Sequence, residues 1–151
     1  MRNAPKLLEP TAKAAPTHEP DYFMRDFVIK NFLPNGELRS ELFGVEGRHY
    51  PDTDTIEVDK VRMRSISPEG LVTRSTANRG LSNSDGSELQ LFGNAIVIRD
   101  PSVGADGKPT PRLEFRGEFL HAFVDTERVT SNQPVTLIRD KDQFTGDTLD
   151  Y

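Results

Sequence analysis

Cysteine and tryptophan are both absent from this 151-residue chain, and long apolar runs are absent as well. Without cysteine the chain can form no disulfide and carries no thiolate for nucleophilic or metal chemistry. The longest uninterrupted apolar run is only a few residues, whereas a membrane-spanning helix needs ~20. No apolar core of a secretory signal peptide is recognisable either.

A strong charge of one sign is also missing. The chain has 19 Lys and Arg residues against 24 Asp and Glu residues, which gives a formal net charge of −5. Both signs are interspersed, without a block of like charges. Because a nucleic-acid-binding surface needs a basic footprint, nucleic acid is not expected as a partner.

Proline is concentrated at the start of the chain. Pro5, Pro10, Pro16 and Pro20 interrupt a segment with little apolar content, and proline at this density disfavours both helices and paired strands. Residues 1–20 are therefore predicted to form a flexible linker. The remaining residues, 21–151, are enough for one domain.

From Tyr22 onward, apolar and polar residues alternate in short runs that are separated by turn signals such as Pro34-Asn35-Gly36. A period of two residues is the pattern of a half-buried strand. Strands separated by a turn about every 10 residues are typical of an all-β sandwich or barrel. The run from Phe119 to Val124 is the one place where a helical turn is also compatible with the pattern.

The strands recur as a repeat. Met63, Val97 and Leu137 occupy similar apolar strand segments, 34 and 40 residues apart, and a long loop over residues 100–110 accounts for the larger interval. A repeat of this length indicates one supersecondary unit stacked several times. The segment that begins at Phe144 resembles a fourth unit, and its second strand is expected beyond Tyr151.

Small residues occur at equivalent positions in these units. Gly44, Ala77 and Gly117 are 33 and 40 residues apart. Glycine weakens a strand unless the chain must bend or approach another group closely, so these positions indicate either strong curvature or room for a ligand. The alternation slips by one residue at Lys60, which predicts a bulge.

Catalytic and metal-binding patterns are weak. His18 lies in the predicted linker, and His49 and His121 have no second His or Cys at zinc-ligand spacing. No phosphate-binding loop, dinucleotide fingerprint or nucleophile elbow is present. The sequence therefore predicts no catalytic residue, no metal site and no cofactor.

A set of ordered motifs carries a family resemblance. Each motif is short, but their order and spacing extend over about 130 residues, and together they resemble the periplasmic domain of the LptC family of lipopolysaccharide export proteins. The motifs are Asp21-Tyr22-Phe23, Pro34-Asn35-Gly36-Glu37-Leu38, His49-Tyr50-Pro51-Asp52-Thr53-Asp54-Thr55-Ile56-Glu57-Val58, Ser67-Pro68-Glu69-Gly70, Thr76-Ala77-Asn78-Arg79-Gly80, Leu89-Gln90-Leu91-Phe92-Gly93-Asn94-Ala95, Ser131-Asn132-Gln133-Pro134-Val135 and Phe144-Thr145-Gly146.

The resemblance implies a fold, a function and a location. The expected fold is a twisted β-jelly roll of stacked antiparallel strands, like that of LptA. The expected function is non-catalytic transfer of lipopolysaccharide from the inner-membrane transporter complex LptB/LptF/LptG to LptA. Family members are periplasmic domains of single-pass inner-membrane proteins, so a membrane helix is expected ahead of the linker over residues 1–20.

An apolar groove is expected to hold the acyl chains. Burying one CH₂ group is worth about 0.8 kcal/mol, so a chain of about a dozen carbons needs an apolar path worth roughly 10 kcal/mol. The same side chains also suit ordinary core packing. The inner-face candidates for this groove are Leu42, Val58, Met63, Leu91, Val97, Phe115, Val135 and Leu137.

The two ends of the strand stack are the expected partner-binding edges, because an unpaired edge can accept a strand from another chain. By the resemblance, the N-terminal edge contacts the transporter and the C-terminal edge contacts LptA. The edge candidates are Phe27, Val28, Ile29, Phe144, Gly146 and Leu149. Two alternatives stay open: a soluble periplasmic bridge protein like LptA, and a carbohydrate-binding β-sandwich.

Overall fold

The computed structural model describes residues 17–151, so residues 1–16 of the predicted linker lie outside the described part of the chain. The described residues form strands and turns only. The strands are β1 (Tyr22–Phe32), β2 (Leu38–Tyr50), β3 (Thr55–Ile66), β4 (Val72–Asn83), β5 (Glu88–Arg99), β6 (Ser102–Val103), β7 (Pro109–Thr110), β8 (Leu113–Phe123), β9 (Arg128–Ser131), β10 (Val135–Arg139), β11 (Asp142–Gly146) and β12 (Leu149–Asp150).

Ten of these strands form one antiparallel sheet with a simple order. Strands β1 to β5 follow one another as a meander, and β8, β10 and β11 continue it. The short strands β9 and β12 extend the same sheet beside β8, while β6 and β7 form a separate ribbon in the long loop. The predicted all-β fold of stacked antiparallel strands is confirmed.

Each long strand is irregular near its middle, and these irregularities line up across the sheet. Asp26, Lys60 and Asn94 have left-handed backbones, with φ of 47°, 53° and 52°, and the pairing register is interrupted beside each of them. We call this row the bulge line. It consists of Asp26, Gly44–Val45, Lys60, Ala77–Asn78, Gly93–Asn94 and Gly117–Glu118.

The bulge line divides the sheet into two halves, because a bulge bends the strand that carries it. Every long strand contributes a segment to both halves. Half I comprises residues 22–25, 46–50, 55–59, 79–83, 88–92 and 119–123 with β9 and β12. Half II comprises residues 27–32, 38–43, 61–66, 72–76, 95–99 and 113–116 with β10 and β11.

The two halves face each other across the core. Met63 and Val97 of half II line one cavity together with Ala122 and Val129 of half I. The inward positions alternate with more exposed ones along each strand, as β3 shows: Val61 and Met63 are buried, and the exposed residues around them are Lys60, Arg62 and Arg64. The buried cluster consists of Leu42, Ile56, Val58, Val61, Met63, Leu89, Leu91, Ala95, Val97, Leu113, Phe115, Leu120, Val129 and Val135.

The small residues of the repeat have a steric cause. A Cβ atom on Gly44 would collide with Cγ1 of Val58 and would lie 2.8 Å from Cε1 of Phe27. A Cβ atom on Gly117 would lie 2.9 Å from the carbonyl oxygen of Pro134. Both glycines allow close approach where the sheet bends, and at these two positions neighbouring atoms already occupy the space.

Two local predictions have opposite outcomes. The bulge at Lys60 is confirmed by its positive φ and by the interrupted pairing. The helical turn suggested for residues 119–124 is wrong, because β8 continues to Phe123. Leu120 and Ala122 are buried, while His121 between them is more exposed, so the alternation there is that of a strand.

Candidate functional site: the interior, its mouth and the sheet edges

The groove candidates lie on the inner faces of both halves. Seven of them belong to the buried cluster, and Leu137 is partly buried against it. Val58 and Leu91 are on half I, while Leu42, Met63, Val97, Phe115, Val135 and Leu137 are on half II. The structure therefore brings all eight side chains to one shared interior. Their contact with a lipid stays a prediction.

The interior is well packed in this structure. Two cavities lie between the halves, and their volumes are about 20 Å³ and 10 Å³. A cavity needs roughly 10–15 Å³ of such space to hold one water molecule, so each has room for about one water and for no acyl chain. An acyl chain can therefore reach the interior only if the two halves separate.

The halves meet again on the side away from the bulge line, at a closed mouth. Two hairpin turns of half I lie over the rim of half II there. The turn over residues 83–87 approaches β1, since a Cβ atom on Gly86 would lie 2.5 Å from Nδ2 of Asn31. The turn over residues 124–127 reaches β2, where Asp125 Oδ1 is 2.9 Å from Nη2 of Arg39.

A second arginine, Arg99, lines the mouth on β5, three strands away from Arg39 of β2. Arg99 faces inward on β5, two residues after the fully buried Val97. Its guanidinium carbon is 5.9 Å from the centre of the Phe115 ring and 5.4 Å from that of Tyr151. Burial lowers the pKa of Arg99, and the nearby charge of Glu127 acts in the opposite direction. The residues of this rim were not among the predicted site residues, although the inward parity of Arg99 with Val97 was a usable signal.

The predicted partner edges lie at the two ends of the sheet. In the described part of the chain, β1 pairs with β2 alone, β11 with β10 alone, and β12 with β9 alone. Large apolar side chains are exposed at both ends. They are Phe23, Val28 and Phe32 on β1, and Phe144 on β11. Phe27, Ile29 and Leu149 pack partly against the core, and Gly146 pairs with Val135.

A histidine cluster fixes the start of the described chain against half I. His49 Nδ1 is 2.7 Å from Asp21 Oδ1, and its Nε2 is 3.0 Å from Asp54 Oδ1. The Tyr22 ring stacks on His49 at 4.7 Å. The hydrogen bond to Asp54 and then the one to Asp21 raise the pKa of His49.

Next to His49, Tyr50 forms a second stack between a histidine and a tyrosine. His18 stacks on Tyr50 at a ring distance of 3.8 Å, and its Nδ1 lies 2.9 Å from Asp52 Oδ2. The last residues of the predicted linker thus contact the sheet. The contacts of His18 with Tyr50 and Asp52 could not be predicted from the sequence, because these partners are 32 and 34 positions away in the chain.

Residues 17–151 contain no cluster of three His, Asp or Glu side chains that could hold a metal ion. Over the same residues, no helix has the length and apolar character needed to cross a bilayer.

Comparison with protein-family models gives a match. The sequence model of the family described as "LptC: Lipopolysaccharide-assembly, LptC-related" matches residues 3–151, which is nearly the whole chain. No curated protein matches the chain.

Proposed function

The chain belongs to the LptC-related family of lipopolysaccharide-assembly proteins, and we propose that it carries lipopolysaccharide by enclosing the acyl chains between its two half-sheets. The observation that carries this proposal is the continuous apolar interior, to which both halves contribute. In the resting state the interior packs against itself, and the halves separate at the mouth to admit the lipid. The role is non-catalytic transfer in the periplasm, next to the inner membrane.

Removal of the acyl chains from water provides the driving force for lipid binding. Separating the halves exposes apolar side chains, and acyl chains replace the contacts that are lost. Each CH₂ group that leaves water contributes about 0.8 kcal/mol, so several acyl chains can offset the opening of the interior. The sheet edges then give direction to the transfer. We propose that the β1 edge contacts the LptB/LptF/LptG transporter and that the β11–β12 edge passes the lipid to LptA.

Exposed apolar side chains support this use of the edges. Phe23 is 70% exposed on β1, and Phe144 is 54% exposed on β11. Native proteins usually protect long edge strands against pairing with another chain. An edge that carries exposed aromatic rings suits addition of a partner strand, in which main-chain hydrogen bonds hold the partner and side chains select it.

Photo-methionine at Met63 provides a direct test of the interior. Met63 is 6% exposed and lines both cavities between the halves, and photo-methionine has almost the same shape as methionine. Protein that carries the label should crosslink to lipopolysaccharide on illumination, and peptide mass spectrometry should place the lipid on residue 63.

The Met63→Leu variant, labelled in the same way at its remaining methionines, is the matched control. Leucine keeps the apolar volume, so lipid binding should persist while the interior crosslink disappears. If labelled wild-type protein binds lipopolysaccharide but never crosslinks through residue 63, the lipid lies outside the interior and the proposal fails.

A further inference from the structure

Two arginines at the mouth are buried without the partners that buried polar groups require. Nε and Nη2 of Arg39 and Nε of Arg99 are shielded from solvent and have no hydrogen-bond partner among the described residues. Arg39 Nη2 is 2.9 Å from Asp125 Oδ1, but its N–H is not aimed at that oxygen. Native structures leave few buried polar atoms unpaired, and each one needs an explanation.

The acidic turn over residues 124–127 only partly neutralises these arginines. Asp125 is exposed, and Glu127 is half-buried with a left-handed backbone at φ 55°. The charge of Glu127 acts on Arg99, and both residues line the same cavity. The pKa of Asp85, in the neighbouring turn, is lowered mainly by its hydrogen bonds with Ser87 and to a smaller extent by the charge of Arg39. Asp85 therefore lies near Arg39. The carboxylates of the acidic turn therefore cover Arg39 and Arg99 without using all of their N–H donors.

We propose that Arg39 and Arg99 form an anion site at the mouth, which binds the phosphate groups of the lipid in place of Asp125 and Glu127. This inference rests on the proposed function. Guanidinium groups recognise phosphate oxygens through paired N–H donors. The rim position suits an amphipathic ligand, since the acyl chains can occupy the interior while the phosphates stay at its polar edge.

The placement of the two arginines fits a broad ligand. In the half II sheet, Ser40 of β2 pairs with Ser65, Ser65 with Thr73, and Thr73 with Arg99 of β5. Neighbouring strands are ~4.8 Å apart, so β2 and β5 are separated by roughly 14 Å over three such intervals. Arg39 and Arg99 thus stand at opposite sides of the rim, with small hydroxyl residues between them.

The test compares the binding of lipid A that carries its phosphates with that of the same lipid after enzymatic dephosphorylation. Arg39→Gln and Arg99→Gln should each weaken binding of the phosphorylated lipid by about tenfold or more, since a hydrogen bond to a charged group contributes that much. Binding of the dephosphorylated lipid should be unchanged. Arg64→Gln is the control, because Arg64 pairs with Glu41 on the outer face of half II.

Variants of the turn should have the opposite effect. Asp125→Asn and Glu127→Gln remove the competing carboxylates, so they should tighten binding of the phosphorylated lipid by a factor of about three, the size expected for a partly exposed ion pair. A purely structural role of the arginines would not produce gains in affinity. Circular dichroism melting of each variant shows whether it is folded.

The outcomes separate this inference from the proposed function. If wild-type protein binds neither lipid, the proposed function fails. If both lipids bind and the arginine variants weaken neither, or weaken both equally, the anion site is wrong while the proposed function stands. If inorganic phosphate shifts the Arg99 Nε–Hε resonance and the phosphorylated lipid does not, the site serves a free anion and the lipid assignment is overturned.

Discussion

At the scale of single residues, His49 is the side chain with the clearest link to pH. Its folded-state pKa is raised, first by Asp54 and then by Asp21, and in turn its hydrogen bond lowers the pKa of Asp54. A raised histidine pKa contributes stability that is fully present below the unfolded value of about 6.5 and is lost as the pH rises through the folded pKa. The stability that comes from the lowered pKa of Asp54 has the opposite pH dependence, because it is lost as the pH falls through the folded-state pKa of that carboxyl group.

His49→Gln should therefore lower the free energy of unfolding more at pH 5.5 than at pH 8.5. Chemical denaturation at the two pH values measures the difference, and the NMR titration of the His49 ring should give a pKa above its usual range. Asp21→Asn should move that pKa downward, because one of the two carboxylates is removed. A His49 pKa that does not respond to Asp21→Asn would show that the contact does not form in solution.

Phe115 and Phe144 show how strongly position determines the contribution of the same side chain. Phe115 is fully buried, whereas Phe144 is 54% exposed on the edge strand β11. Phe115→Ala should lower the free energy of unfolding by about 3–5 kcal/mol through lost burial and a new cavity. Phe144→Ala should change it by only about 0.5 kcal/mol. Urea denaturation of both variants measures the contrast, and equal losses would contradict the assigned core.

At the scale of elements, the bulge line depends on residues that tolerate close approach. Gly44→Ala should destabilise the protein by about 1–3 kcal/mol, the usual range for overpacking, because the added methyl group meets Val58 and Phe27. Val58→Ala makes room for that methyl group. Gly44→Ala should thus be less harmful in a Val58→Ala background than in wild type. Additive losses in urea denaturation would mean that the two sites do not interact.

Lys60 tests the bulge line through the backbone alone. It is exposed and has a φ of 53°, a conformation that costs an L-residue about 1–2 kcal/mol and glycine almost nothing. Lys60→Gly should stabilise the protein or leave it unchanged. Lys30→Gly, at an exposed position of β1 without positive φ, should destabilise it by about 0.5–1 kcal/mol. Thermal melting should show a lower melting temperature for Lys30→Gly alone, and a similar loss in both variants would exclude strain at Lys60.

The strands could be predicted from the sequence because their signals are local. The alternation around Val61 and Met63, the slip at Lys60 and the turn at Pro34-Asn35-Gly36 all act over a few residues. The inward position of the eight groove candidates was predictable for the same reason, since it follows from the alternation along each strand, while their contact with lipid stays a prediction. The parity did not reveal how the two halves close on each other.

The mouth could not be predicted in this way, because its contacts join distant segments. Arg39 meets Asp125, which is 86 positions later, and neither residue belongs to an apolar pattern. Asp125 lies in the turn between β8 and β9, and its neighbours in the sequence do not indicate what that turn contacts. A turn of half I covers the rim of half II only because the sheet bends at the bulge line. That bend brings distant segments together, so the contact cannot be read from the sequence around the turn.

At the scale of the whole molecule, the closed interior and the proposed cargo require an opening motion. The apolar cluster leaves no space for an acyl chain between the halves, while a transfer protein must load and release one. The bulge line joins the halves through continuous strands, so it suits a hinge. The mouth is held by contacts between two turns and the rim of half II, and such contacts separate more easily than the hydrogen-bonded strands of a sheet. Opening should thus occur at the mouth.

A crosslink across the mouth tests this motion. The chain has no cysteine, so Asn31→Cys with Ser84→Cys provides the only two thiols, and both positions line the cavity beneath the first turn. Joining them with a short bis-maleimide ties half I to half II. We expect the tied protein to melt at a higher temperature and its lipopolysaccharide crosslinking through photo-methionine at residue 63 to fall to background. Lys30→Cys with Glu41→Cys is the matched control, because these residues pair within half II, and the same reagent there should leave lipid loading intact. If the protein tied across the mouth still loads lipid as well as this control, the acyl chains enter by another route and the mouth is not the gate.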